Sequence, residues 1–210
     1  MIERVGSLVP VNPTKEELFL GRLKSDTAPL HRKLEQSPLS QILTSPAITA
    51  NQYALYLAAM RSVVAWWEEI VFPVVTTVIS DLDGRKKLAA IDQDLNSLKN
   101  FTTVSTNVLA FTSPRPTSVA HATGFMYVLE GSSLGGMMIV KQLQHHPFLK
   151  EDTSRFLTVY GNHTGLYWKR FLKELCAYAL NNTAENEIID GAKQAFRSIE
   201  NYFHSIRLSS

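Results

Sequence analysis

Residues 117–145 read as one long apolar helix, yet this helix carries four glycines: Gly124, Gly131, Gly135 and Gly136. Each costs a helix interior about 1 kcal/mol relative to alanine. A chain that keeps four of them needs its main chain to approach something closely. Spacing of four puts Gly131 and Gly135 on one face, one turn apart. That face is a strip without side chains. It can receive a second helix in a small-residue contact, or it can lie flat against a planar body, and the spacing alone leaves both open.

The rest of the chain is patterned for helix as well. Thr14 can cap a first helix over 14–35, opened by Lys15, Glu16 and Glu17, with Pro29 either kinking it or starting a second one. A turn-rich connector, SPLSQILTSP, covers 37–46. Thr49 and Gln52 then have capping-box spacing and open a long helix over 50–79. Its apolar positions, 53, 56, 57, 60, 63, 64, 67, 70 and 71, form a core-facing stripe, and Pro73 bends its end. Further helices are expected over 85–99, 151–159, 164–181 and 184–206, the last capped by Thr183. A Ser/Thr/Pro-rich connector occupies 100–116, and residues 1–13 read as an extended arm. No segment alternates with period two, and no solenoid repeat is present. The expected fold class is all-α: one helical bundle over 14–210.

Composition excludes several functions. The 210 residues are 45% hydrophobic and 19% charged, enough for one buried core. No uncharged apolar run reaches the length of about 18 residues needed to span a bilayer; 53–66 comes closest, and Arg61 interrupts it. The N-terminus lacks the pattern of a secretory signal. A single cysteine, Cys176, rules out an internal disulfide and a cysteine-based metal cage, so a cytoplasmic setting is expected. A net charge of +2 is too mild to point to nucleic acid.

His31 supplies the second half of the chemistry. It sits between Leu30 and Leu34, with Glu35 one turn later. A ligating imidazole normally gives its second N–H to an orienting acceptor, and Glu35 is placed to be one. An axial imidazole on one helix and a side-chain-free strip on another are what a haem requires: a ligand on one side and nothing bulky on the other. Haem propionates want cations at the rim. Lys24 lies about 10 Å before His31 on the same face of an unbroken helix, and the basic, aromatic stretch Trp168, Lys169, Arg170, Phe171 and Lys173 offers a second cluster. An ordinary amphipathic face would explain that cluster equally well.

With LKSDTAPLHRKLE at 23–35 and YVLEGSSLGG at 127–136, the chain resembles the haem oxygenase family, most closely the bacterial members that supply bilin to phytochromes. Weaker similarity covers the Tyr53–Glu69 helix and GNHTGLYWKRF at 161–171. The resemblance implies haem as substrate and cofactor, with its iron ligated by His31. Lys24, Thr27, Glu35, Gly131, Gly135, Gly136 and Arg170 would complete the haem-binding set. It implies opening of the ring to biliverdin with release of iron and carbon monoxide. Dioxygen and an external electron donor, a ferredoxin or a reductase, would be consumed, and a phytochrome could accept the bilin. Catalytic roles would fall to Gly131, Ser132 and Gly135. Many members carry an aspartate where this chain has Ser132. A serine can anchor a water but supplies no carboxylate charge, so a haem or bilin binder without turnover is the alternative on the same fold. A third reading has the glycines only packing helices.

Other chemistry-bearing residues carry less. His121 reads as a buried or rim histidine bonded to backbone, and His145 and His146 as a helix end. Trp66 and Trp67 are expected in the core, with Glu68 and Glu69 on a solvated face. Paired Glu-x-x-His motifs, which a di-iron bundle would need, are absent. Cys176 lies in an apolar stretch that suits a structural thiol.

Overall fold

The structure, a computed structural model, describes residues 12–102 and 108–207. The expected arm thus lies outside the described residues up to position 11, as do 103–107 of the connector and the C-terminal 208–210. Every regular element among the described residues is helical: α1 (Lys15–Glu35), α2 (Pro38–Ile42), α3 (Ala50–Trp66), α4 (Leu88–Leu98), α5 (Val119–Leu143), α6 (Thr164–Asn182) and α7 (Glu185–Ser205). None of these helices is long and apolar enough to cross a membrane.

The capping residues work as their chemistry dictates. Thr14 and Thr49 each accept from the N3 amide while Glu17 and Gln52 reach back, closing two capping boxes. Pro29 is absorbed inside a continuous α1 rather than dividing it. The expected 50–79 helix, in contrast, stops being α at Trp66. A π turn follows over Trp67–Val71 and a 3-10 turn over Phe72–Val74, because Pro73 cannot donate an amide and the chain must loosen ahead of it. Thr183 does not cap α7. It ends α6 in the left-handed conformation at φ 52°, and Ala184 takes the N-cap position. The helix expected over 151–159 reduces to one 3-10 turn, Glu151–Thr153, and turns. Glu68 is not merely on a solvated face. Its Oε1 accepts the amides of Lys87 and Leu88 at 2.6 and 2.9 Å and so opens α4.

The core is built around α5. Gly124 meets α7 so closely that a Cβ there would stand 2.0 Å from the Ile188 carbonyl oxygen, and a Cβ on Gly191 would stand 2.0 Å from that of His121. Two of the chain's glycines therefore serve a helix crossing. On the other flank, the buried Trp67 donates its indole N–H to the Phe125 carbonyl at 3.2 Å. Phe111, Phe125, Trp66 and Trp67 pack as an aromatic cluster around that bond. The segment after α5 is pinned by the buried Asp94, whose carboxylate accepts the amides of Arg155 and Phe156 at 2.9 and 2.8 Å. Burial pushes this carboxyl up, against those two hydrogen bonds.

Candidate functional site

Helix α1 carries the imidazole. His31 is exposed, with Nδ1 3.3 Å from Glu35 Oε2, so the orienting acceptor sits where the i, i+4 spacing puts it. Its other face is set by α7, because Phe196 meets the ring edge-on at 5.6 Å. With Nδ1 next to Glu35 and one edge against Phe196, the ring leaves Nε2 without a protein partner among these contacts.

Helices α1 and α5 come together where the Tyr127 phenol faces the buried Thr27. Burial pushes that phenol up, and the Thr27 side chain opposes the shift. His31 lies one turn beyond Thr27 on α1, and Gly131 one turn beyond Tyr127 on α5. Each is on the face of its own helix that makes this approach.

The glycines divide into two kinds. A side chain on Gly135 would find no atom within 4 Å, and one on Gly131 would meet only the Trp168 ring at 3.7 Å. Gly135 fronts open space, and Gly131 is bordered by the Trp168 ring at ordinary contact distance. Leu134 and Met138 flank them and are 41% and 75% exposed. Apolar side chains left in water beside bare main chain mark a place where an apolar, flat body can sit. Gly136 belongs with Gly124 instead. Its side-chain direction is filled by the Leu157 backbone, at 2.1 Å from that carbonyl oxygen, so it packs helix to loop rather than facing the open strip.

Ser132 is exposed, and its hydroxyl donates to the Leu129 carbonyl at 2.7 Å. Lys24 is exposed on the His31 face of α1. The Arg170 guanidinium bonds to Asp81 Oδ2 at 3.2 Å. Trp168, two residues earlier and so on another face of α6, is the residue that borders Gly131.

The largest omission from the sequence reading lies immediately behind the strip. Glu130, nearly sealed from solvent, receives Arg85 Nη1 at 2.5 Å, Lys87 Nζ at 2.8 Å and the Tyr160 hydroxyl at 3.0 Å to both oxygens. Arg85 also bonds Asp81 and the Tyr167 carbonyl. Burial is the largest single influence on Asp81 and raises it. The Arg85 and Arg170 contacts together outweigh that and hold the carboxyl below its ordinary range. One signal was available: an acid inside FMYVLEG cannot be buried without a partner. The sequence did not say that the partners were in DGRKK, which reads as surface.

The remaining candidates are structural. His121 Nδ1 faces the amide and hydroxyl of Thr117, and burial lowers its pKa. His146 stacks on Phe148. The Cys176 thiol is buried and pushed up to about 11, which leaves it a poor nucleophile. Cavities of about 500 Å³, lined by Glu151, Asp152 and Arg155 among others, and about 340 Å³, at Ser80–Gly84, involve neither His31 nor the glycines.

Comparison with known proteins gives one consistent answer. The sequence model of the family described as heme oxygenase matches residues 17–205. A curated heme oxygenase of Xanthomonas campestris pv. campestris is 30% identical over 169 residues, covering 80% of this chain and 95% of that protein. Among solved structures, the heme oxygenase of Leptospira interrogans is similar with a TM-score of 0.69 at 16% identity, covering 90% of this chain and 99% of that one. Heme oxygenase 2 of Chlamydomonas reinhardtii, solved without heme, gives 0.71 at 12% identity, covering 91% and 99%. The NO- and CO-bound heme oxygenase of Neisseria meningitidis gives 0.62 at 23% identity, covering 88% and 92%.

Proposed function

This chain belongs to the haem oxygenase family, and from that premise we propose that it opens haem to biliverdin, releasing iron and carbon monoxide. Dioxygen and electrons from a ferredoxin or reductase are consumed. Haem, as the substrate, brings the iron at which dioxygen is activated. The protein supplies the rest. His31 offers Nε2 to the iron while Glu35 holds Nδ1. Gly131 and Gly135 admit the ring to within contact of the main chain, and Leu134 and Met138 take up its apolar face. Lys24, on the same face of α1 as His31, is placed for a propionate. The observation that carries the reading is the side-chain-free strip at Gly131 and Gly135, open at Gly135, one turn past the approach of Tyr127 to Thr27.

Ser132 favours a second reading, a haem or bilin binder without efficient turnover, because its hydroxyl proton is committed to the Leu129 carbonyl. Its lone pairs remain to accept from a water, and that is the proton-handling role left to it in the enzyme reading. Two measurements decide. Hemin added to the protein should give a sharp Soret band that His31→Ala broadens or abolishes. With ascorbate in air, loss of that band with growth of biliverdin absorption supports the enzyme. A ferrous complex that persists without ring opening supports the binder.

A further inference from the structure

We propose that Glu130, with Lys87, Arg85 and Tyr160, is a positioning device that holds the glycine strip of α5 in its ligand-ready place before any ligand arrives. The identity of that ligand rests on the function proposed above; the positioning does not. A carboxylate offers about four acceptor sites, and three donors converge on Glu130: Arg85 on one oxygen, Lys87 on the other, and the single Tyr160 proton shared between them. The Lys87 ammonium also reaches the Leu129 carbonyl at 3.3 Å, so the clamp grips α5 by backbone as well as by side chain.

The need for a clamp follows from the strip itself. Packing normally fixes a helix, but the face at Gly131 and Gly135 has no side chains of its own, and across it only the Trp168 ring comes near, at Gly131. Its position must be set from either end. Glu130 bonds Tyr160 at one end, and Gly136 abuts Leu157 at the other. Both anchors fall on the same short segment, 157–160, whose preceding residues are fastened to Asp94. The strip is therefore bridged between two points of one short segment that follows the Asp94-bonded residues 155 and 156. A buried ion cluster is a poor source of stability, since well-packed apolar replacements are often neutral or stabilising. Its use here is geometric. Burial pulls the Lys87 ammonium below its ordinary value and Glu130 opposes that, so the two charges depend on each other.

The test is the double variant Lys87→Met/Glu130→Leu, which removes one charge of each sign and leaves Arg85 with Asp81 and the Tyr167 carbonyl. Amide hydrogen exchange is read by region in the ligand-free protein. The expected result is exchange about tenfold faster over 131–138, with α1 and α7 unchanged. Hemin dissociation should quicken by a similar factor. Unchanged exchange over 131–138 in the folded double variant overturns the proposal. So does a uniform acceleration over the whole molecule, which would make the cluster a general stabiliser. If the double variant does not fold, Tyr160→Phe decides: about threefold local acceleration supports the clamp and none overturns it. Should the wild-type protein give no Soret band with hemin, the haem reading fails while the exchange contrast still stands or falls on its own.

Discussion

A Cβ at Gly135 meets nothing, whereas one at Gly136 would stand 2.1 Å from a backbone oxygen. Neighbouring glycines thus do opposite work, and alanine separates them. Gly135→Ala should raise the stability of the ligand-free protein by about 1 kcal/mol, through helix propensity alone. The same change should weaken hemin binding, because the new methyl enters the open strip. Gly136→Ala should cost about 1–3 kcal/mol, because a backbone carbonyl cannot move aside as a flexible side chain can. Urea titration of the two variants, followed by hemin titration of those that fold, checks the contrast. Of the site residues read from the sequence, His31, Glu35, Thr27, Gly131 and Gly135 lie on the two helix faces that approach each other at Thr27 and Tyr127. Gly136 does not, because its side-chain direction is filled by the Leu157 backbone, and Arg170 pairs with Asp81. Helical spacing names the face a residue shares, but not which neighbour arrives there first.

At the scale of elements, local chemistry decided most boundaries. Thr14 and Thr49 cap as their spacing demands, and α4 begins where Glu68 offers a carboxylate to two amides. The exceptions have local causes too. Pro73 ends the regular part of the third helix, and Thr183 sits at φ 52°, in a region where its branched Cβ is unfavourable. Thr183 makes the α6–α7 turn as a strained residue in a glycine position. Thr183→Gly should therefore stabilise the fold by about 1 kcal/mol without touching the strip. A raised thermal midpoint with unchanged hemin affinity is the expected outcome.

Across the whole molecule, the α5–α7 crossing carries a titratable group of its own. Burial lowers His121 below its ordinary value of 6.5, against Asp190 and Glu187. The sign is fixed by linkage: the unfolded chain binds a proton that the folded chain refuses. The stability His121 contributes is complete above 6.5 and is lost as pH falls from there through its folded value. Urea midpoints measured downward from pH 8 should decline in that window, and His121→Gln should flatten the decline. Burial also explains what could be foreseen at this scale. The all-α class, the number of long helices among the described residues and the pairing of His31 with Glu35 are written in periodicity and spacing, which are properties of a chain and its immediate neighbours. The partners of Glu130, the commitment of Arg170 to Asp81 and the division of labour among the glycines arise between residues tens of positions apart. Those pairings are set by which surfaces the core brings together. Helix patterning says that a face will be buried; only packing says against what.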